Sequence, residues 1–274
     1  MKTCIYQYWY GSKPSAAVRA GRDNMKEYAN KIGATYLYET DPPFFGGECS
    51  LKMKYSALRP IYDDKFLEYD KVMYIDLDVF SVDGKTENIF EQDIKHIGIC
   101  EEPLQPELRE QNGMAANSSI CTQNDNIWAS AVKKKYGMDV NRDIKERPLV
   151  YNSGVIVLTK EGILAAREKF TQFEEHIQHL KSNNLSGFYL SDQTYYQTML
   201  HSSGVDFKIM DYKWNSQIHW LRKPHLKVAD GRTEDTNFVH VQITGAGQWG
   251  KDEHYRMVNL PTSMWNIPTK FNLD

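Results

Sequence analysis

Apolar runs and helix-like stretches alternate along this chain from its first residues. Thr3 to Trp9 and Ala34 to Glu39 read as short buried strands, and Ser15 to Ile32 between them reads as a helix that Gly33 stops. Asp41-Pro42-Pro43-Phe44-Phe45-Gly46-Gly47 is a loop dense in turn residues. Leu51 to Tyr69 is expected to be mainly helical, with a break at Pro60, and leads into the apolar run from Lys71 to Phe80. Further strands are expected at His96 to Cys100, Gly154 to Thr159, 206–210 and 237–243, with a helical piece near Asp125 to Tyr136. Lys160 to Lys181 carries the clearest helical period. Ile163, Ala166, Phe170, Phe173, Ile177 and Leu180 step by three and four along one face, which predicts a core-packing stripe.

Strands alternating with helices predict an α/β fold around a mostly parallel sheet. No repeat, low-complexity tract or linker interrupts the pattern, so a single domain is expected over residues 1–274. Its parts are a first half at 1–100, a second at 101–250 and a polar tail at 251–274. Glu101 to Pro148 mixes Pro, Asn and Ser and shows little period. Long irregular stretches inside compact domains are often binding loops.

Composition narrows the classes. The 274 residues are 41% apolar and 25% charged, ordinary values for a chain that buries a large core without staples. A net charge of -3 provides no broad basic field for nucleic acid. Lys133-Lys134-Lys135 reads as a solvated helix end, where cations suit the dipole. Cys4, Cys49, Cys100 and Cys121 form no C-x-x-C pair and read as small buried hydrophobes rather than a disulfide frame or a zinc site. The chain opens almost directly into a strand, and no apolar run reaches the length of a membrane span, so a soluble cytoplasmic protein, or a catalytic domain cut from something larger, is expected. Aromatic residues make up 12%, and such rings suit sugars and nucleobases as well as cores.

The candidate chemistry centres on Asp76 and Asp78, at or just past the end of the Lys71 run. In an extended chain residues two apart face the same side, and open α/β sheets place ligands at strand carboxyl ends. Two carboxylates converging there repel unless a cation sits between them. The pair therefore predicts a divalent metal and, behind it, a phosphate-bearing substrate. An acidic turn that merely caps a strand is the other reading of the same residues. Four later features follow in order: Tyr151-Asn152-Ser153-Gly154 before an apolar strand; Ser191-Asp192-Gln193 opening a helix to about His201; Trp214-Asn215; and Phe238-Val239-His240-Val241 followed by Thr244-Gly245-Ala246-Gly247-Gln248-Trp249. Each has a plain alternative: a turn, a helix cap, core packing, a half-buried histidine.

In combination, "YIDLD … YNSGVIVL … SDQ … WN … VHVQITG…W" resembles the retaining GT-A glycosyltransferases of the glycogenin and lipopolysaccharide-galactosyltransferase type, family 8, over roughly residues 1 to 250. The resemblance implies the GT-A fold, a Mn²⁺ or Mg²⁺ cofactor, a nucleotide-sugar donor, UDP-linked, and a carbohydrate or glycoconjugate acceptor. A homodimer is left open. Asp76, Asp78 and His240 would hold the metal, and Asp76 and Leu77 would also meet the nucleotide. Tyr6, Gln7 and Tyr8 would line the nucleotide. Asn152 and Gly154 would lie against the transferred sugar, with Asp192 and Gln193 at its reacting face. Arg22 or Lys54 could pair with the diphosphate. The family's usual His, Gly, Lys-Pro-Trp order is altered here to His240 … Gly245-Ala246-Gly247-Gln248-Trp249-Gly250-Lys251. Lys251, or backbone N–H groups around Gly245 and Gly247, would then take the place of the missing lysine. Trp214, Trp220 and Trp249, with His219, Arg222 and His225 nearby, are candidates for a sugar platform or for packing. A nucleotidyltransferase and a sugar-binding module without turnover are the rival readings.

Overall fold

The computed structural model describes residues 1–9, 14, 16–40, 56–103, 105–110, 120–149, 151–220 and 228–241. Its first sheet has the order β2-β1-β3-β6-β5-β7. These are β1 (Thr3–Tyr8), β2 (Thr35–Glu39), β3 (Lys71–Ile75), β5 (Ile97–Glu101), β6 (Tyr151–Thr159) and β7 (Phe207–Ile209). β6 alone runs against its neighbours β3 and β5; the other pairings are parallel. A second sheet has the order β4-β10-β8-β9: β4 (Val79–Ser81), β8 (Ser216–Trp220), β9 (Val228–Asp230) and β10 (Phe238–Val241).

The apolar runs are continuous because the first sheet is covered on both faces. On one face Cys4, Tyr6, Val72, Tyr74, Ile156 and Leu158 meet residues of α5 (Lys160–Lys169), α6 (Phe173–Ser182) and α7 (Asp192–Ser202). On the other, Ile5, Met73, Ile75, Val155 and Val157 meet Met25, Tyr28 and Ala29 of α1 (Ala16–Ile32), together with Trp214 and Phe238. Trp214 is thus a core residue, edge-on to Phe238 at 5.2 Å. Cys4 and Cys100 are buried, in β1 and β5. Gly33 stops α1, and Gly137 ends α4 (Thr122–Tyr136), where Lys133, Lys134 and Lys135 fill the last turn; both glycines have a φ of 71°. Among the described residues no helix is long and apolar enough to cross a membrane.

Two expectations change. The helix expected over Lys160 to Lys181 is two helices, because Phe170 turns to extended backbone. The break lets Phe170 and Phe173 both sit edge-on to Tyr195, whose hydroxyl donates to the Thr171 carbonyl freed by the break at 2.5 Å. Aromatic packing and a satisfied carbonyl outweigh helix continuation there. The stretch expected to be mainly helical is so where it is described: residues 56–58 form a 3₁₀ turn, and Pro60 lies in the first turn of α2 (Arg59–Tyr62), where a residue without N–H is tolerated; residues 51–55 lie outside the described residues. A 3₁₀ stretch, Asp64–Glu68, follows. Finally, β8, β9 and α3 (Gln105–Glu110) fall where no regular element is expected.

His176 on α6 supplies a pH-dependent contribution to stability. It is fully buried, its Nδ1 lies 2.9 Å from the Tyr136 hydroxyl, and its Nε2 meets no partner among the described residues. Burial, aided by the charge of Lys135, pushes its pKa from 6.5 down to about 3. The folded state therefore keeps it neutral while the unfolded chain takes a proton below pH 6.5. This contribution is complete above pH 6.5 and shrinks as pH falls toward 3. Urea unfolding at pH 7 and pH 5 should show a loss of about 2 kcal/mol from this residue. His176→Phe should remove that part of the pH dependence; an unchanged dependence would contradict the assignment.

Candidate active site

The site forms where the chain leaves the first sheet for the second. β3 ends at Ile75, and Asp76-Leu77-Asp78 turns into β4, with the Val79 N–H donating to the Asp76 carbonyl at 3.2 Å. The two acids converge through this turn and do not lie on one extended strand, which corrects the geometry expected from their spacing. β10 then pairs antiparallel with β4, setting His240 opposite Val79, and the Val241 N–H donates to the Asp78 carbonyl at 2.9 Å. This pairing carries a residue from late in the chain to the acidic turn. Ligand atoms of Asp76, Asp78 and His240 all lie within 4.8 Å of one another, with His240 Nε2 3.2 Å from Asp78 Oδ1.

Close packing holds the turn. Leu77 is buried with Trp9 and Val18. A side chain on Gly21 of α1 would place its Cβ 1.9 Å from the Leu77 carbonyl oxygen, so glycine is what lets the helix reach the turn. The same logic applies at Gly154, where a Cβ would lie 2.5 Å from His240 Cε1 and 2.7 Å from Asn152 Oδ1. The ladder register between β5 and β6 shifts at Ile99/Cys100, opposite Asn152 to Ile156, so Asn152-Ser153-Gly154 belongs to an irregular part of β6 rather than to a turn before it.

Polar neighbours fix the acids and the imidazole. The Tyr74 hydroxyl donates to Asp76 Oδ1 at 2.6 Å and accepts from Ser56 Oγ at 2.7 Å. The Asp76 N–H donates to the Gly154 carbonyl at 2.8 Å. Gln7 donates to the Asp76 carbonyl at 3.1 Å and accepts from Tyr36 at 2.7 Å, so its amide is held within the protein. His240 Nδ1 lies 3.1 Å from Asn215 Oδ1. Asn215 Nδ2 donates to Asn152 Oδ1 at 2.8 Å, and Asn152 Nδ2 donates to Glu102 Oε1. Gln193 also reaches Glu102, at 3.4 Å, and Ser153 Oγ reaches Asp192 Oδ1 at 3.4 Å.

Burial and the Asp78 charge raise the Asp76 carboxyl to about 6. Burial works against a charged His240, but the Asp78 carboxylate, then Asp76 and Glu102, raise its pKa to about 9. The site thus concentrates negative charge beside one imidazole. Two carboxylates and a nitrogen are a donor set that fits a divalent cation such as Mn²⁺ or Mg²⁺.

The remaining expected residues are more scattered. Tyr6 is buried in the core against Phe66 at 4.9 Å, while Tyr8, at the carboxyl end of β1, lies under the Arg59 guanidinium at 5.9 Å. Arg22 pairs with Asp23 at 2.7 Å and sits 5.5 Å over the Tyr38 ring. Lys54, Gly245, Gly247, Lys251, Arg222, His225 and Trp249 lie outside the described residues. Tyr74, Glu102 and Asn215 received no role from the sequence. A tyrosine two before the first acid and an acid just past β5 were the available signals for the first two.

No family model matches the sequence, and no curated protein does. Solved structures do match. A glycosyltransferase involved in glycosylation of the major capsid of PBCV-1 aligns with a TM-score of 0.51 at 16% identity, covering 94% of this chain and 100% of that one. The fold is that of a GT-A glycosyltransferase. Mouse xyloside xylosyltransferase 1 aligns with a TM-score of 0.49 at 14% identity, covering 89% of this chain and 98% of that one. On this GT-A scaffold the acidic turn lies at the carboxyl end of β3, where open α/β sheets hold ligands.

Proposed function

We propose that the chain is a metal-dependent glycosyltransferase that moves a sugar from a nucleotide-diphosphate donor, a UDP-sugar, to an acceptor hydroxyl with retention. The convergence of Asp76, Asp78 and His240 carries this reading. These three would hold the cation. When bound, it supplies positive charge that stabilises a departing diphosphate. The chain's own residues then position the sugar. Asp192, Gln193 and Asn152 lie along one hydrogen-bonded wall through Ser153 and Glu102, with polar atoms suited to sugar hydroxyls. Asp192 would orient the donor hydroxyls at the face where the anomeric bond breaks and positive charge grows on the ring. In the front-face route the leaving phosphate takes the acceptor proton, so no separate general base is required. A carbohydrate or glycoconjugate is the acceptor class.

Metal removal tests the reading. With a panel of nucleotide sugars, donor hydrolysis and donor-induced thermal shifts should appear with Mn²⁺, vanish with chelator and return when Mn²⁺ is restored. Absence of any metal-dependent response across the panel would overturn it.

A further inference from the structure

We infer that Asn215 and Asn152 form an oriented amide chain that aims His240 Nε2 into the metal site, making Asn215 a positioning residue for the centre. The inference rests on the metal-site reading above, and the orientation follows from one donor that cannot be reversed. The Gly154 backbone N–H donates to the Asn152 side chain at 2.8 Å, so the atom it meets must be the Asn152 oxygen. That oxygen also faces Asn215 at 2.8 Å, so Asn215 must present its NH₂ group there. The Asn215 oxygen is thereby turned toward His240 Nδ1, 3.1 Å away. An amide oxygen only accepts, so Nδ1 carries a proton. Nε2 is left to face Asp78.

The far end agrees with this order. Asn152 Nδ2 points at the Glu102 carboxylate, which accepts it. Asn152, Asn215 and Glu102 are each at most 3% exposed, so water does not compete for these bonds. Gly154 serves the arrangement twice: its N–H fixes the amide and its missing side chain makes room for the imidazole. A histidine that binds metal through one nitrogen depends on a partner for the other, and loss of such a partner costs about 10- to 100-fold in metal affinity.

Two measurements test this. In the wild type, ¹⁵N-histidine spectra should show a His240 Nδ1–H that exchanges slowly with water, and Asn215→Leu should lose that protection. Titration with Mn²⁺ followed by electron paramagnetic resonance should show about 10- to 100-fold weaker binding in Asn215→Leu. Asn215→Asp separates orientation from simple acceptance. Its carboxylate can accept from Nδ1 but offers no donor to Asn152, so the chain predicts weakened Mn²⁺ binding in this variant too. Wild-type Mn²⁺ affinity in either variant, or a His240 Nδ1 without a proton in the wild type, would overturn the inference. If the wild type itself takes up no Mn²⁺, the metal reading fails, and the Nδ1–H measurement still decides the amide chain separately.

Discussion

Asp78→Ala should lower metal-dependent transfer by about a thousandfold, roughly 4 kcal/mol of transition-state stabilisation. The side chain is partly open to solvent, at 22% exposure. The backbone bond from Val241 to the Asp78 carbonyl survives the substitution. The fold should persist, with a lower thermal midpoint without metal because the buried His240 imidazole loses its facing carboxylate, while Mn²⁺ binding and kcat/KM fall together. Removing one of two neighbouring carboxylates also relieves the repulsion that raises Asp76. If both Mn²⁺ affinity and turnover survive in Asp78→Ala, the site assignment is wrong even though the fold stands.

Arg109→Leu should destabilise the protein by about 3–5 kcal/mol in urea unfolding. Arg109 on α3 is 1% exposed, and its Nη1 pairs with Asp125 Oδ1 on α4, itself 2% exposed. Its Nε donates to Gln105 at 2.8 Å, and the guanidinium stacks 4.9 Å over Phe188. Tyr189 also donates to Asp125, at 2.7 Å. Burial already pushes the Asp125 carboxyl upward, and Arg109 is the charge that opposes it. Without the guanidinium, a carboxylate stays buried with one phenol for company. Changing both residues to Leu should recover most of the loss, because a well-packed apolar pair often matches a buried ion pair. A double variant no more stable than Arg109→Leu would show that the cost came from packing on Phe188 instead. Glu102 also feels the Arg109 charge, so the single variant should weaken the wall beside Asn152 as well.

The sheet was legible because a strand buried on both faces shows an unbroken apolar run, as at Lys71 to Ile75. Helix ends at Gly33 and Gly137 were legible because left-handed backbone favours glycine. The break after Phe170 was not, since the hydrophobic stripe runs on through it and the rings that reward it, Tyr195 and Tyr196, lie far along the chain. Asp76, Asp78 and His240 could be singled out as residues, but the turn and the β4–β10 pairing that bring them together depend on tertiary contact. Asn215 stood out only as part of the Trp214-Asn215 pair, without a role, and Glu102 not at all, because both act on the site through other side chains and such roles leave no local period to read.

The three candidate ligands have different architectural origins. Asp76 closes a strand of the large sheet, whereas Asp78 leads into the small sheet and His240 sits within it. A cation shared among them would join the two sheets at a single point. Part of its binding free energy would then hold the small sheet in place, so that loading the cofactor and fastening the architecture become one event.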